Sequence, residues 1–167
     1  MADIVDDGIA CHTNGELPAV GSTAPDFRLV TGELKDVTLD SYRGKTKVLS
    51  IVPSLDTRVC AISARKFNEK AAALPNAVVL VISADLPFAM RRFCSTEGLK
   101  DVVPLSMMRG RGFAKDYGVL IVDGPMEGIA ARAVVVIDAD NRVAYTELVQ
   151  EIGHEPDYAA ALAAIPR

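Results

Sequence analysis

The sequence predicts an α/β fold in which a mixed β-sheet carries helices on both faces. Two continuous apolar runs, residues 47–52 (KVLSIV) and 77–83 (AVVLVIS), have the composition of strands that are buried on both faces. Between them, apolar residues recur at intervals of four and three, which indicates a helix with one apolar stripe. The stripe consists of Cys60, Ala64, Phe67, Ala71 and Leu74. A strand, a helix and a second strand in this order favour a parallel pair joined by a right-handed crossover.

The remaining elements complete the sheet and its helical layers. Residues 4–13 predict a hairpin, because two apolar stubs flank the turn pair Asp7-Gly8. A second helix begins at Pro87 and ends at Gly98, residues that favour these two helix ends. An antiparallel pair is expected on either side of the turn at 139–141. The shorter predicted elements are a strand at 27–30, a turn at 42–44, a strand at 102–105, a helix at 112–117, the paired strands 132–138 and 142–149, and a terminal helix at 156–165.

Composition excludes several classes of protein. The chain has 167 residues, half of them apolar, with no repeat or linker, so we expect one domain spanning 1–167. With 18 Lys and Arg against 22 Asp and Glu, the chain has no excess of basic residues of the kind that binds nucleic acid. No apolar run has membrane-spanning length, and acidic residues stand where a signal peptide needs Lys or Arg. Three cysteines are too few for a disulfide scaffold. We therefore expect a cytoplasmic protein with no nucleic-acid or membrane partner.

Cys60 directly follows the loop that joins the first buried strand to its helix. Ligands of open α/β sheets bind at this carboxyl edge, and the first helical turn offers unpaired N–H groups and the positive end of the helix dipole. Since an ordinary thiol is largely protonated at neutral pH, these groups and the nearby Arg58 favour the reactive thiolate. Thr57 is expected to be the N-cap, with a hydroxyl that reaches the sulfur or a molecule bound to it. The position of Cys60 also fits a buried structural cysteine at the start of the apolar stripe.

A motif around Cys60 carries more specific information. Pro53, Thr57 and Cys60 form the pattern Pro-x-x-x-Thr-x-x-Cys, and the surrounding text IVPSLDTRVCAISARKFNEKAA resembles the thiol peroxidase subfamily of the peroxiredoxins, the atypical 2-Cys peroxiredoxins. The segments VVLVISADLPFAMRRFCSTEGL, YGVLIVDGP, ARAVVVID and EPDYAAALA resemble the same subfamily in the same order. The resemblance implies a thioredoxin-like fold, with a mixed central sheet flanked by helices and an N-terminal β-hairpin extension.

The resemblance also implies roles for individual residues. Cys60 is then the peroxidatic cysteine, whose thiolate attacks one peroxide oxygen and becomes a sulfenic acid. Thr57 would hydrogen-bond the thiolate and the incoming peroxide, and Pro53 would shield the sulfur from bulk water. Arg132 matches the active-site arginine of the family, a permanent cation with five N–H donors. The residue pattern alone also fits an arginine that lies in solvent at a strand end.

Cys94 matches the resolving cysteine of the thiol peroxidase branch, which forms an intrachain disulfide with the peroxidatic cysteine. Its position on the second predicted helix also fits a packed, inert thiol. A disulfide requires Cα atoms about 4.4–6.8 Å apart, a separation that two cysteines on different fully wound helices seldom reach. We therefore predict that the first turn at Cys60 and the region around Cys94 unwind when the Cys60–Cys94 disulfide forms.

The function that the resemblance implies is a thioredoxin-dependent peroxidase that reduces hydrogen peroxide and organic hydroperoxides with no metal or other cofactor. The absence of a Cys-x-x-Cys motif argues against a thioredoxin-type reductase. A redox-sensing module switched by oxidation of Cys60, and a structural protein with core cysteines, are the alternatives. The resemblance implies a homodimer, to which apolar residues around Ile121, Pro125 and Met126 are candidates to contribute.

Two histidines and one cysteine have no assigned role. Cys11 lies beside His12, but two ligands do not make a metal site, so we interpret Cys11 as a thiol in the core of the hairpin. His154 precedes the terminal helix and is expected to be solvated.

Overall fold

The computed structural model describes residues 1–71 and 73–166. A 3-10 helix over Leu39–Tyr42 accompanies the regular elements. In chain order, the described residues form β1 (Asp3–Asp6), β2 (Ile9–His12), β3 (Leu29–Val30), β4 (Asp36–Val37), β5 (Thr46–Ile51), α1 (Arg58–Ala71), β6 (Ala77–Ser83), α2 (Pro87–Glu97), β7 (Val102–Ser106), α3 (Gly112–Asp116), β8 (Ala133–Ile137), β9 (Val143–Leu148) and α4 (Tyr158–Ala163).

The central sheet has the strand order β4-β3-β7-β6-β5-β8-β9. The pairs β5–β6 and β6–β7 are parallel, whereas β8 runs antiparallel to β5 and β9 antiparallel to β8. Alternate residues of β5 face opposite layers: Val48 packs with apolar residues of α1, α2 and α4, and Leu49 packs with those of α3. The prediction of a mixed sheet with helices on both faces is confirmed.

The N-terminal hairpin is a separate two-stranded sheet that covers one part of the domain. Asp7 and Gly8 have φ angles of 48° and 84°, the left-handed values that a two-residue hairpin turn needs. Cys11 is fully buried in a small cluster that includes Ile4 and Ile121, so the interpretation as a hairpin-core thiol is confirmed. Ile121 is fully buried in the same cluster, so its own side chain is not available to a dimer surface, whereas a contribution from Pro125 and Met126 stays a prediction.

Several element boundaries differ from the sequence prediction. The strand predicted at 27–30 is only Leu29–Val30, and it pairs with Asp36–Val37, a strand that was not predicted. Leu74 lies beyond the end of α1, whereas the spacing assigned it to the helical stripe; the Ala71 side chain lies outside the described residues. The terminal helix starts at Tyr158, because the Asp157 carboxylate accepts a hydrogen bond from the Ala160 N–H at 3.0 Å and caps it.

The helices are short compared with a bilayer. The longest, α1, has 14 residues, and a helix needs about 20 apolar residues to cross a membrane. In the ranges that the structure describes, no helix is long and apolar enough to do so.

Candidate active site

Cys60 is the third residue of α1, and the loop before it leads from the carboxyl end of β5. The Thr57 carbonyl accepts the first helical hydrogen bond, from the Ala61 N–H at 3.0 Å, which places Thr57 at the N-cap as predicted. Cys60 therefore lies in the first turn, where backbone N–H groups have no helical acceptor and the dipole is positive. Its side chain is fully buried among apolar residues, and Pro53 in the loop is buried as well.

Arg132 meets Cys60 at this edge of the sheet. The antiparallel register of β5 and β8 places Ala133 opposite Ile51, so Arg132 lies directly beside the loop that follows β5. Arg132 Nη2 is 3.2 Å from Cys60 Sγ, and Nε donates to the Ile152 carbonyl at 2.9 Å. The arginine is only 2% exposed. The structure therefore places a buried cation and its N–H donor in direct contact with the sulfur.

One N–H-bearing nitrogen of Arg132 has no acceptor. Nη1 is buried, and no hydrogen-bond partner for it exists within the described ranges 1–71 and 73–166. A buried, unpaired donor on a cation is destabilising unless another group pairs with it, so this nitrogen can donate to a small polar molecule beside the sulfur.

An ion pair supports the helix behind Cys60. Lys66 Nζ on α1 lies 2.9 Å from Glu155 Oε1, and the Tyr158 hydroxyl donates to the same oxygen at 2.9 Å. These two groups, and more weakly Arg132, lower the pKa of the Glu155 carboxyl. Burial chiefly raises the pKa of Tyr158, so its hydroxyl keeps its proton. The pair joins the start of α4 to the cysteine-bearing helix, and sequence analysis did not identify it.

The Thr57 hydroxyl is arranged differently from the sequence expectation. Its Oγ1 donates to the Ser54 carbonyl at 2.9 Å, and the side chain is exposed. Its single proton is therefore committed within the loop, and the hydroxyl is not a donor to the Cys60 sulfur. The oxygen retains lone pairs that can accept a hydrogen bond. The structure thus brings Cys60 and Arg132 into direct contact, and Thr57 lies at the N-cap of the helix that carries Cys60.

Cys94 lies in the last turn of α2 and is half-buried against the apolar cluster that contains Cys60. Cys11, Cys60 and Cys94 are all free thiols. Burial raises the pKa of the Cys94 thiol, which keeps it protonated in this conformation. The Gly98 cap predicted from the sequence is confirmed, with a left-handed φ of 67°, and the Cys94 carbonyl accepts the Leu99 N–H at 2.9 Å.

A cleft of about 280 Å³ lies between α2 and the loop before α1. Asp56 of the loop lines one side, and Arg92 and Phe93 of α2 line the other. The two cysteine-bearing segments are therefore not packed tightly against each other along this boundary.

Asp85 is a site residue that sequence analysis missed. Its carboxylate accepts hydrogen bonds from Ser54 Oγ and from the Leu55 N–H, each at 2.7 Å, and so fixes the loop before α1. The available signal was the pair of polar residues Ser83 and Asp85 at the end of the buried strand next to β5, since parallel strand ends meet at one sheet edge.

The two histidines lie in different places: His12 is on the hairpin, and His154 lines a cavity together with Arg58 of α1. His12 Nδ1 is 2.6 Å from Asp123 Oδ2, and the hydrogen bond and charge of Asp123 raise the pKa of His12. His154 is exposed, which confirms its predicted solvation. Over residues 1–71 and 73–166, no group of three or more His, Cys, Asp or Glu side chains is arranged to hold a metal ion.

Comparison with known proteins identifies the family. Residues 19–162 match the Redoxin family. A thiol peroxidase of Mycobacterium tuberculosis is 57% identical over 165 residues, which cover 99% of each chain. A peroxiredoxin-like protein of Aquifex aeolicus has a TM-score of 0.92 at 38% identity and covers 98% of this chain and 96% of its own. The thiol peroxidase of Chromobacterium violaceum has a TM-score of 0.90 at 28% identity, with coverages of 96% and 93%.

The fold, the buried cysteine at a helix start and the similarity over the whole chain agree with one another. The predicted resemblance and the thioredoxin-like fold with its N-terminal hairpin are confirmed. This chain belongs to the Redoxin family, among the thiol peroxidases of the peroxiredoxin type, and is a thiol-dependent peroxidase.

Proposed function

We propose that Cys60 is the peroxidatic cysteine and that Arg132 is its cationic partner. The observation that carries this assignment is the 3.2 Å contact between Arg132 Nη2 and the buried Cys60 sulfur. The Cys60 thiolate attacks one oxygen of the hydroperoxide, so that an S–O bond forms and the O–O bond breaks. The sulfur becomes a sulfenic acid, and the second oxygen leaves as hydroxide or alkoxide and takes up a proton. Arg132 stabilises the negative charge as it moves from sulfur to the departing oxygen.

Three neighbours of Cys60 orient the peroxide or protect the site in this proposal. Arg132 Nη1, which is buried without a partner in the described part of the chain, donates to a peroxide oxygen. Thr57 Oγ1 accepts a hydrogen bond from the peroxide O–H, because its own proton is held by the Ser54 carbonyl. The buried ring of Pro53 limits the access of water from the loop side.

Cys94 is the resolving cysteine in the second step. Its thiol displaces water from the Cys60 sulfenic acid, and the S–S bond of an intrachain disulfide forms as the S–O bond breaks. Burial disfavours the Cys94 thiolate in the present conformation, and so exposure by unwinding of the last turn of α2 would make the sulfur a better nucleophile. This effect supports the prediction that the segments around both cysteines unwind together.

Thioredoxin is the proposed reductant. Its dithiol transfers two electrons to the Cys60–Cys94 disulfide and regenerates both thiols. The name of the similar thiol peroxidases supports a thiol as the electron source. Hydrogen peroxide and organic hydroperoxides are the proposed substrates, and the cytoplasm, where such dithiols are kept reduced, is the proposed location.

A homodimer is also part of this proposal. Phe88 and Leu86, at the start of α2, are 60% and 53% exposed and leave apolar surface for a partner copy. Sedimentation velocity tests this part directly, since a dimer has twice the mass of the chain.

The experiment that tests the catalytic assignment is steady-state peroxide reduction with thioredoxin, thioredoxin reductase and NADPH. We expect Cys60→Ser to abolish peroxide consumption, and Cys94→Ser to react once with peroxide and then accumulate as sulfenic acid. Cys11→Ser is the matched control, because Cys11 is also a fully buried thiol but lies under the hairpin. Full turnover in Cys94→Ser with thioredoxin would remove Cys94 from the mechanism.

A further inference from the structure

Asp85 and three serines form a polar cluster at the carboxyl edge of the sheet, here called the Asp85 cluster. Ser83 ends β6, Ser106 ends β7, and Ser54 lies three residues after β5. Neither the motif around Cys60 nor the proposed chemistry uses these residues. Ser54 and Ser83 lie where the chain leaves β5 and β6 towards the two cysteine-bearing helices, α1 and α2, and Ser106 ends the neighbouring strand β7.

The Asp85 carboxylate holds the loop that leads to Cys60. Oδ1 accepts from Ser54 Oγ at 2.7 Å, and Oδ2 accepts from the Leu55 N–H at 2.7 Å and from Ser83 Oγ at 2.6 Å. Two of these three hydrogen bonds come from the loop, and the third comes from the strand. Leu55 is itself buried in the apolar cluster that contains Cys60. The carboxylate therefore joins the loop before the peroxidatic cysteine to the rigid end of β6.

The backbone of Asp85 is anchored to the sheet and leads directly into α2. Its N–H donates to Ser83 Oγ at 3.2 Å, and its carbonyl accepts from Ser106 Oγ. Pro87, the first residue of α2, follows two positions later. One residue thus contacts the loop that positions Cys60 and begins the connection to the helix that carries Cys94.

We propose that Asp85 is a positioning residue that holds the Ser54–Leu55 loop, and hence Cys60 beside Arg132, in the peroxide-reactive conformation. The inference rests on the catalytic roles proposed above for Cys60 and Cys94. Formation of their disulfide needs Cα atoms within about 4.4–6.8 Å, which two cysteines on different fully wound helices seldom reach, so we predict that the loop leaves its present position. Release of the hydrogen bonds to Asp85 is part of that movement.

This role predicts opposite effects on the two chemical steps. A loop released from Asp85 spends less time with Cys60 beside Arg132, so reaction with peroxide slows. The same release favours the opened conformation in which Cys94 reaches the sulfenic acid, so disulfide formation is unchanged or faster. A residue that only stabilises the fold would slow both steps or neither.

The test is Asp85→Asn, which keeps the shape but removes the negative charge and one acceptor oxygen, so the side chain can no longer accept from all three of Ser54 Oγ, the Leu55 N–H and Ser83 Oγ. The chain has no tryptophan, so both steps are followed by rapid quench, alkylation of free thiols and mass spectrometry. The first step is measured in a Cys94→Ser background, and the second with Cys94 present. We expect Cys60 oxidation to slow by about tenfold or more, as for loss of a hydrogen bond to a charged group, with no slowing of disulfide formation.

Overoxidation gives a second readout in the same samples. A sulfenic acid that is resolved promptly escapes a second peroxide, which would convert it to sulfinic acid. We therefore expect Asp85→Asn to form less sulfinic acid than the wild-type protein at a given peroxide concentration. Asp123→Asn is the matched control, because both oxygens of that carboxylate also accept hydrogen bonds, from the His12 backbone N–H and from His12 Nδ1, but at the hairpin and not at these strand ends, and it should keep both rates.

A second variant protects the test against a folding defect. Ser54→Ala removes the hydrogen bond to Oδ1, so Cys60 oxidation should slow by a smaller factor while disulfide formation does not slow. This variant tests the proposal if Asp85→Asn does not fold. Equal slowing of both steps in these variants, or wild-type rates in both, would overturn the role of Asp85, as would the same shifts in Asp123→Asn. A wild-type protein that forms no Cys60–Cys94 disulfide would instead contradict the proposed function itself.

Discussion

Replacement of Arg132 by methionine removes the cation beside the Cys60 sulfur while keeping much of the side-chain volume. The guanidinium is 2% exposed and lies 3.2 Å from Sγ, so water does not screen the contact in the folded protein. Two unit charges at that distance attract by about 5 kcal/mol at an effective dielectric constant of about 20. Water that enters the vacated space would recover part of this energy, so the expected loss is smaller.

We expect the rate constant of Cys60 with hydrogen peroxide to fall by about 10²- to 10³-fold in Arg132→Met, the range found when one preorganised donor to a developing anion is removed. Arg132→Lys should lose less, because it keeps the charge but not the planar pair of donors to sulfur and peroxide. The assay is single-turnover oxidation in a Cys94→Ser background at neutral and alkaline pH. A loss that is equally large at both pH values reports stabilisation of the transition state.

A matched control separates this effect from general destabilisation. Like Arg132, Arg111 makes two hydrogen bonds through its guanidinium, but both go to backbone carbonyls, those of Gly128 at 2.8 Å and Met107 at 3.0 Å, and neither goes to Cys60. Arg111→Met should therefore lower stability while keeping the peroxide rate of the folded fraction. A loss of less than about threefold in Arg132→Met, or an equal loss in Arg111→Met, would refute the assignment of Arg132.

Two further predictions concern stability. Because Asp123 raises the pKa of His12, the stability that the pair contributes is fully present below the unfolded-state pKa of about 6.5 and is lost as pH rises through the higher folded-state value. Urea unfolding should thus show a deficit in His12→Asn that shrinks from pH 6 to pH 9, and a constant deficit would contradict this. Gly118 has a φ of 69°, and an added Cβ would lie 2.0 Å from the Glu16 carbonyl oxygen. Gly118→Ala should cost well over 2 kcal/mol, against about 1 kcal/mol for Gly44→Ala, which has a similar φ and open space; equal losses would show that the clash is relieved.

Local sequence patterns were sufficient to predict elements whose bounds are set by the residues within or next to them. The apolar run at 77–83 has the bounds of β6, and Pro87 and Gly98 mark the start and the cap of α2. β4 was missed because a two-residue strand, Asp36–Val37, has no periodicity to detect. Its pairing with β3 depends on tertiary contacts that a local pattern does not contain.

The candidate site could be predicted only where its residues are close together in the sequence. The Cys60 position followed from a strand, a loop and a helix that are adjacent in sequence. The contact with Arg132 depends on the register of β8 against β5, and only the family resemblance indicated that residue. Asp85 was missed because its hydrogen bonds to Ser54 and Leu55 join segments 30 residues apart.

The most direct test of the mechanism is the rate and site of the first oxidation. Reduced wild-type protein is mixed with one equivalent of hydrogen peroxide, quenched at millisecond intervals and mapped by mass spectrometry. The proposed mechanism predicts oxidation at Cys60 with a second-order rate constant above about 10⁴ M⁻¹ s⁻¹, followed by formation of a disulfide with Cys94, while Cys11 remains unmodified. Oxidation that begins at Cys11 or Cys94, or that is no faster at Cys60 than with an ordinary free thiol, would contradict it.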